Sequence, residues 1–447
     1  MGELLRNGQV ITTTVSGLPC EITSFIGGGG QGEVYSGKIR NQSVAVKWYF
    51  PSYLNDDPNI RERLSVSIQN GAPSDRFLWP MELVDMTGSD SFGYIMPLRE
   101  ARFKGMSDLI RGRVNPSFRA RATTCWEVAS SFMSLHSRGL CYRDISMGNI
   151  FFDPLSGEVR ICDNDNVDVN KRPGFIGGTP EFMAPEIVSG RATPSTQTDL
   201  FSLALLLFYI LCMNHPLKGR RILHIRVWDP PAHRKILGDA PLFIFDPDDS
   251  SNEAVPKSED DLCEAGGNAL AYWLIYPVFL RDLFVRSFTV GLTDPEHGRV
   301  RETEWQAAMG RLIDSILYCG SCGKQNFYDR DALQATRSAG SCWSCSQALV
   351  LPPRLRIGQD TIIMLNHDSK IYPHHLGAKQ MNFNGALGEV VRHPSNRTLW
   401  GLKNTGTAKW VATTGSNEIK DIEPGKSITL AAGTKVHFGK AEGQIHA

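Results

Sequence analysis

The chain has 447 residues, with 47 basic against 47 acidic side chains and a formal net charge of zero. That balance excludes a polybasic protein that coats nucleic acid or anionic membrane. Apolar residues make up 41% and aromatics 9%, so a sizeable core can form and global disorder is excluded. The length suggests about three domains.

The opening residues Met1-Gly2-Glu3-Leu4-Leu5-Arg6 carry no basic stretch followed by an apolar core, and Arg6 stands where N-myristoylation requires Ser or Thr. The first hundred residues predict short strands broken by Gly clusters, with one helix over 59–68. Apolar residues at helical spacing predict a helix over 118–136, stopped by Gly139, then strands at 150–152 and 159–161. The longest apolar run, 200–213, is interrupted only by Ser202. As a helix it would reach about 21 Å, short of the roughly 30 Å hydrocarbon core of a bilayer. It predicts a buried helix, no membrane span and a cytoplasmic chain. A loop-like stretch rich in Pro and Asp covers about 218–267, and helical pattern resumes over 269–317. The last hundred residues return to short strands broken by Gly, Asn and Pro, which predicts a sandwich or barrel.

Six of the ten cysteines (Cys20, Cys125, Cys141, Cys162, Cys212, Cys263) are scattered and read as free, mostly buried thiols. The other four are patterned. Cys319, Cys322, Cys342 and Cys345 form C-x2-C-x19-C-x2-C, a spacing that can deliver four thiolates tetrahedrally to Zn²⁺ at about 2.3 Å. Four ligands leave no open position, so that zinc is structural. The module resembles a zinc ribbon, and Lys324, Arg330 and Arg337 are too few for a nucleic-acid footprint.

Phosphate chemistry enters with Ile26-Gly27-Gly28-Gly29-Gly30-Gln31-Gly32-Glu33-Val34, a G-x-G-x-x-G-x-V run that lets backbone amides approach phosphate oxygens. Lys47 ends the apolar strand Val44-Ala45-Val46, where it would face solvent unless it held an anion. Tyr142-Arg143-Asp144-Ile145-Ser146-Met147-Gly148-Asn149 places an Asp and an Asn on one loop between a helix and a strand, suited to a base and a metal ligand. Asp163 follows at the next strand end, then Gly178-Thr179-Pro180-Glu181-Phe182-Met183-Ala184-Pro185-Glu186 and Thr198-Asp199-Leu200-Phe201-Ser202-Leu203.

In this order and spacing the six motifs resemble a eukaryotic-type serine/threonine protein kinase over about 15–316. The resemblance implies ATP and Mg²⁺ as cofactors and a protein as substrate. Ile26, Gly27, Gly29, Gly32, Val34, Ala45, Lys47, Met96 and Leu98 would bind nucleotide. Lys47 would hold the α/β-phosphates and pair with Glu62, Asp144 would act as base, and Asn149 and Asp163 would hold Mg²⁺. Glu186 would bridge to Arg299, and Asp199 would anchor the catalytic loop.

The chain departs from the kinase pattern in three places. Asp163-Asn164-Asp165 replaces Asp-Phe-Gly, Ser146 stands where a Lys is usual, and no Ser, Thr or Tyr lies between Asp163 and Thr179. Loop phosphorylation therefore cannot order that segment, and Arg143 is free to pair with Asp165 or Asp168.

Segments such as Trp400-Gly401-Leu402-Lys403-Asn404-Thr405-Gly406 and Gly433-Thr434-Lys435-Val436-His437-Phe438-Gly439 resemble a forkhead-associated β-sandwich. Gln359 replaces the Arg with which that family reads phosphothreonine, leaving His374-His375 farther on.

The expected architecture is α+β: a two-lobed kinase fold (N-lobe 1–100, C-lobe 101–316 with an insert at about 218–267), a zinc ribbon at 317–350 and an all-β sandwich at 351–447. The combination is similar to bacterial kinases that accompany a von Willebrand factor A-type protein and a metal-dependent phosphatase in tellurium-resistance-like systems. Those two proteins are the partners that the resemblance implies. The alternative is a nucleotide-binding pseudokinase scaffold that assembles partners through its ribbon and sandwich. Ser146 and Asn164 favour it; the retained Lys47, Asp144, Asn149 and Asp163 oppose it.

Overall fold

The computed structural model describes residues 4–171, 178–260 and 264–447. Cys263 and residues 172–177 of the segment after Asp163 lie outside the described residues. The chain forms two compact units: Met1–Pro116, Glu127–Leu270 and Phe284–Thr303 in the first, Ser117–Trp126, Ala271–Leu283 and Glu304–Ala447 in the second. Among the described residues, no helix is long and apolar enough to cross a membrane.

In the first unit, six strands close a barrel in the order β1-β2-β3-β4-β6-β5. They are β1 (Val10–Thr13), β2 (Pro19–Gly28), β3 (Gly32–Ile39), β4 (Gln42–Tyr49), β5 (Glu82–Asp85) and β6 (Phe92–Pro97). β1 closes the ring by pairing antiparallel with β5, Thr12 opposite Asp85, which leaves no strand edge free. Period-two alternation divides β4 between two cores. Val44, Val46 and Trp48 point into the barrel with Leu5, Ile22 and Tyr35. Ala45 and Tyr49 point to the other face, against helices α1 (Pro51–Asp56) and α2 (Ile60–Asn70). Lys47, two residues from each, shares that second face.

The helix expected over 118–136 is formed at Phe118–His136, and the apolar run becomes the helix Thr196–Cys212. Ser195 caps the second through a reciprocal box with Thr198, and every residue from Thr198 to Cys212 is buried. Asp199, only 2% exposed, accepts hydrogen bonds from the backbone N–H groups of Tyr142 at 2.6 Å and Arg143 at 3.0 Å. The His136 ring bridges Asp199, 3.0 Å from Nε2, and Glu302, which Nδ1 meets. Glu186 bridges to Arg299 at 2.8 Å.

The stretch at 218–267 is anchored to the core at separate points among its described residues. Phe243, Ile244 and Val255 are buried, and the Phe243 ring lies 5.8 Å from Phe208 and 5.3 Å from Phe288. Its Pro and Asp residues mark turns between these anchors, such as the Asp229 cap that accepts the Ala232 N–H at 2.9 Å.

In the second unit, two antiparallel sheets share one apolar core. Thr361–Met364, Arg354–Ile357, Glu442–His446, Lys435–His437, Trp410–Thr413 and Ile419–Ile422 form the six-stranded sheet, in that order. Lys370–Ile371, Gly388–Arg392, Trp400–Asn404 and Ser427–Thr429 form the four-stranded one. Leu355, Trp410 and Ile445 from the first meet Ile371, Val390 and Leu402 from the second. The segment linking the two sheets is tied to other residues of the same unit: Asn366 Nδ2 donates to the carbonyl of Ile316 in the strand Ile316–Tyr318 at 2.6 Å, and Asp368 accepts from Arg119 Nε at 3.0 Å and Tyr318 OH at 2.7 Å. Met381 packs over Gly310, where a Cβ would lie 2.6 Å from its Sδ and would require the flexible Met side chain to shift.

Burial alone would lower the His136 pKa, but the hydrogen bonds and charges of Asp199 and Glu302 raise it to about 9. The stability this imidazolium contributes is fully present below about pH 6.5 and is lost as pH rises toward 9. Thermal unfolding of His136→Gln against wild type is expected to show a deficit of up to about 3 kcal/mol at pH 6 that shrinks by pH 9.5.

Candidate functional site

The β2–β3 hairpin carries the glycine run over a cleft of about 500 Å³. All nine residues expected to bind nucleotide line it: Ile26, Gly27, Gly29, Gly32, Val34, Ala45, Lys47, Met96 and Leu98. The glycines differ in why they are glycine. Gly27 and Gly29 have open space where a Cβ would stand, whereas a Cβ on Gly32 would sit 2.1 Å from the Trp48 carbonyl oxygen. Strand packing, not phosphate approach, therefore fixes Gly32.

On the opposite wall, the loop anchored by Asp199 presents Asp144. Its Oδ1 accepts from the Thr179 N–H at 2.8 Å and the Thr179 hydroxyl at 2.7 Å, and its Oδ2 from Asn149 Nδ2 at 3.0 Å. Burial raises the Asp144 carboxyl above its usual range, against these hydrogen bonds, which lower it. Asn149 Nδ2 also donates to the Asp144 carbonyl at 2.9 Å, leaving the amide oxygen as its acceptor group. The Cys162 N–H donates to the Asn149 carbonyl at 2.9 Å, which sets Asp163 beside it. Asp163 has a left-handed φ of 52°, and its side chain is 39% exposed. Two hard oxygen donors from neighbouring strands of backbone suit Mg²⁺.

Lys47 is 5% exposed, and its Nζ lies 2.8 Å from Asp165 Oδ2, 3.7 Å from Asp163 Oδ1 and against Gln31 Oε1. Burial would lower its pKa, but the charges of Asp165 and Asp163 raise it instead. The expected Lys47–Glu62 pair is not formed. Glu62 is exposed on α2 and lines a separate small cavity with Arg63, Trp79 and Leu140. Asp165, fully buried, takes the ammonium group instead.

Sequence reading missed four residues of this cluster: Asp165, Tyr49, Gln31 and Asn166. The Tyr49 hydroxyl donates to Asp165 Oδ2 at 2.6 Å, and Gln31 Nε2 donates to Asn166 Oδ1 at 2.9 Å. Tyr49 was findable from strand alternation, two residues after Lys47. Asp165 was visible as a carboxylate in a position that ordinarily holds glycine and as an expected partner of Arg143, not of Lys47. Arg143 pairs with Asp168 at 3.2 Å, one of its two expected partners.

The four patterned cysteines converge in the second unit, with their sulfurs all within 4.8 Å of one another. Cys319–Cys345 and Cys322–Cys342 are each 3.6 Å apart, near the roughly 3.8 Å edge of a tetrahedron around a metal 2.3 Å from each sulfur. Amide donors reach Cys342 Sγ from Ser344 at 3.4 Å and Asn326 at 3.5 Å. Burial opposes ionisation of Cys342, but N–H donors from Cys345, Ser344 and Asn326 outweigh it and bring the thiol down to about 6. The donor set fits a metal that takes thiolates. His375 Nε2 lies 3.2 Å from Asp314, and His374 Nδ1 lies 2.8 Å from the Asn382 carbonyl.

The sequence profile of the protein kinase domain family matches residues 20–236. Over that segment the chain is similar to protein kinase domains. A 180-residue stretch is 28% identical to a cell cycle serine/threonine-protein kinase of Saccharomyces cerevisiae, covering 37% of this chain and 25% of the relative. A 98-residue stretch is 35% identical to ribosomal protein S6 kinase alpha-6 of Mus musculus, covering 21% and 13%. Protein kinase C delta type of the same species is 32% identical over 97 residues, covering 21% and 14%. The chain thus spans a quarter or less of the length of these relatives.

Purified protein is expected to carry one equivalent of metal per chain by elemental analysis, and Cys322→Ser under about a tenth of that.

Proposed function

We propose that the kinase domain transfers the γ-phosphoryl group of ATP, with Mg²⁺, to serine or threonine of a protein partner. The observation that carries this reading is the single cleft shared by the glycine hairpin, Lys47, Asp144 and Asp163. Ile26, Val34, Ala45, Met96 and Leu98 would enclose the adenine, and Lys47 would meet the phosphates. Asp144, with its carboxyl held by Thr179 and Asn149, would orient the substrate hydroxyl and take its proton. Mg²⁺ on Asn149 and Asp163 would neutralise charge on the transferring group. The similarity to serine/threonine kinases, together with Gly178-Thr179-Pro180-Glu181, supports hydroxyl rather than phenol acceptors.

The thiolate geometry supports structural Zn²⁺ at Cys319, Cys322, Cys342 and Cys345. The paired sheets are compatible with a forkhead-associated-like module used for partner binding, and the engaged histidines favour a surface other than His374-His375. A von Willebrand factor A-type protein and a metal-dependent phosphatase are the partners we propose, on the resemblance alone.

A pseudokinase scaffold is the second reading. Ser146 favours it, being buried and offering no cation to a γ-phosphate. Transfer from labelled ATP decides between the two. Asp144→Ala and Lys47→Ala are each expected to reduce incorporation by about 10² or more. Equal incorporation in all three proteins would reject the enzyme and leave the scaffold.

A further inference from the structure

We propose that Asp165, rather than a carboxylate on α2, is the positioning residue for Lys47. The inference rests on the phosphoryl-transfer reading for its purpose, and on the buried cluster for its geometry. A cation at 5% exposure needs an anion at least as well buried, and the Asp165 side chain is fully buried. Both of its oxygens reach Nζ, Oδ2 at 2.8 Å and Oδ1 at 3.1 Å. The carboxylate is itself held, since the Tyr49 hydroxyl donates to Oδ2 at 2.6 Å.

The backbone that carries Asp165 is pinned as well. It lies in the short turn Asn164–Asn166, and the Asn164 side chain donates to the Leu78 carbonyl at 2.9 Å and the Ile161 carbonyl at 3.0 Å. A polar residue tied to two carbonyls thus stands where the kinase pattern has a mobile Phe. Glu62 offers no competition from its exposed position on α2.

Two consequences follow for the chemistry. Neutralisation of Lys47 by Asp165 leaves the half-exposed carboxylate of Asp163 for a cation in the cleft. One turn then sets the register of both the lysine and the metal-binding carboxylate, so displacement of α2 does not disconnect Lys47. Helix movement, a switch that would work through a Lys47–Glu62 pair, has no lever here.

The test compares Asp165→Asn, Asp165→Glu, Tyr49→Phe and Glu62→Gln in the full chain. Two measurements are made: steady-state transfer with varied ATP, and the thermal shift produced by Mg-ATP. Asp165→Asn is expected to raise KM for ATP and lower kcat/KM by about 10² or more, with Asp165→Glu recovering part of the loss. Glu62→Gln is expected to stay within about threefold of wild type. The reverse pattern, with Glu62→Gln impaired and Asp165→Asn near wild type, would overturn the proposal. If Asp165→Asn fails to fold, Tyr49→Phe decides: a rise in KM for ATP of about threefold or more supports the role, and unchanged kinetics reject it. Wild type that transfers no phosphate, yet is stabilised by Mg-ATP as Glu62→Gln is and Asp165→Asn is not, would sink the transfer reading while sustaining the role of Asp165.

Discussion

The carboxylate of Asp199 organises the first unit. It sits at the head of a helix that is apolar on every side, where an unpaired charge would be costly. Three groups converge on it: the N–H groups of Tyr142 and Arg143, and the ring of His136. The last turn of one helix is thereby joined to the loop that carries Asp144 and Asn149. A charge that would weaken an ordinary apolar helix here fixes the geometry of the cleft wall.

The other wall depends on a second buried charge. Lys47 lies on the face of β4 that points away from the barrel interior, among Ala45 and Tyr49, so burial and anion contact come together. Its partners are drawn from the glycine hairpin, from β4 itself and from the turn after β-strand Val159–Ile161. That arrangement reaches 118 residues along the chain to Asp165, where a pair with Glu62 on α2 would span only 15. It makes the ammonium group part of the same polar cluster that presents Asp163.

The second unit uses a metal-compatible knuckle as a brace. Gln325 Oε1 accepts the Arg119 N–H at 3.0 Å, filling one of the donors left open at the start of the helix Phe118–His136. The Phe118 ring packs 5.2 Å from Phe327 and 5.7 Å from Trp343, which sits between two of the cysteines. Thiolate geometry, helix capping and aromatic packing thus meet in one small region.

By itself the sequence determined the elements whose signals are local. Glycine spacing, the helix over 118–136, the apolar run behind Asp199 and the doubled C-x-x-C each follow from a few neighbouring residues. The shared position of the nine nucleotide-lining residues in one cleft was also legible, because motif order fixes which strand ends meet. Tertiary structure alone decided the partner of Lys47. Sequence offered Glu62 as the sole carboxylate on α2, yet which side chain reaches a buried ammonium depends on helix rotation and on the turn after Asp163. It also decided that the Pro- and Asp-rich stretch is anchored by Phe243, and that His374 and His375 face inward. Those outcomes rest on contacts between residues far apart in the chain, where the burial of one group sets the charge and orientation that the other must supply.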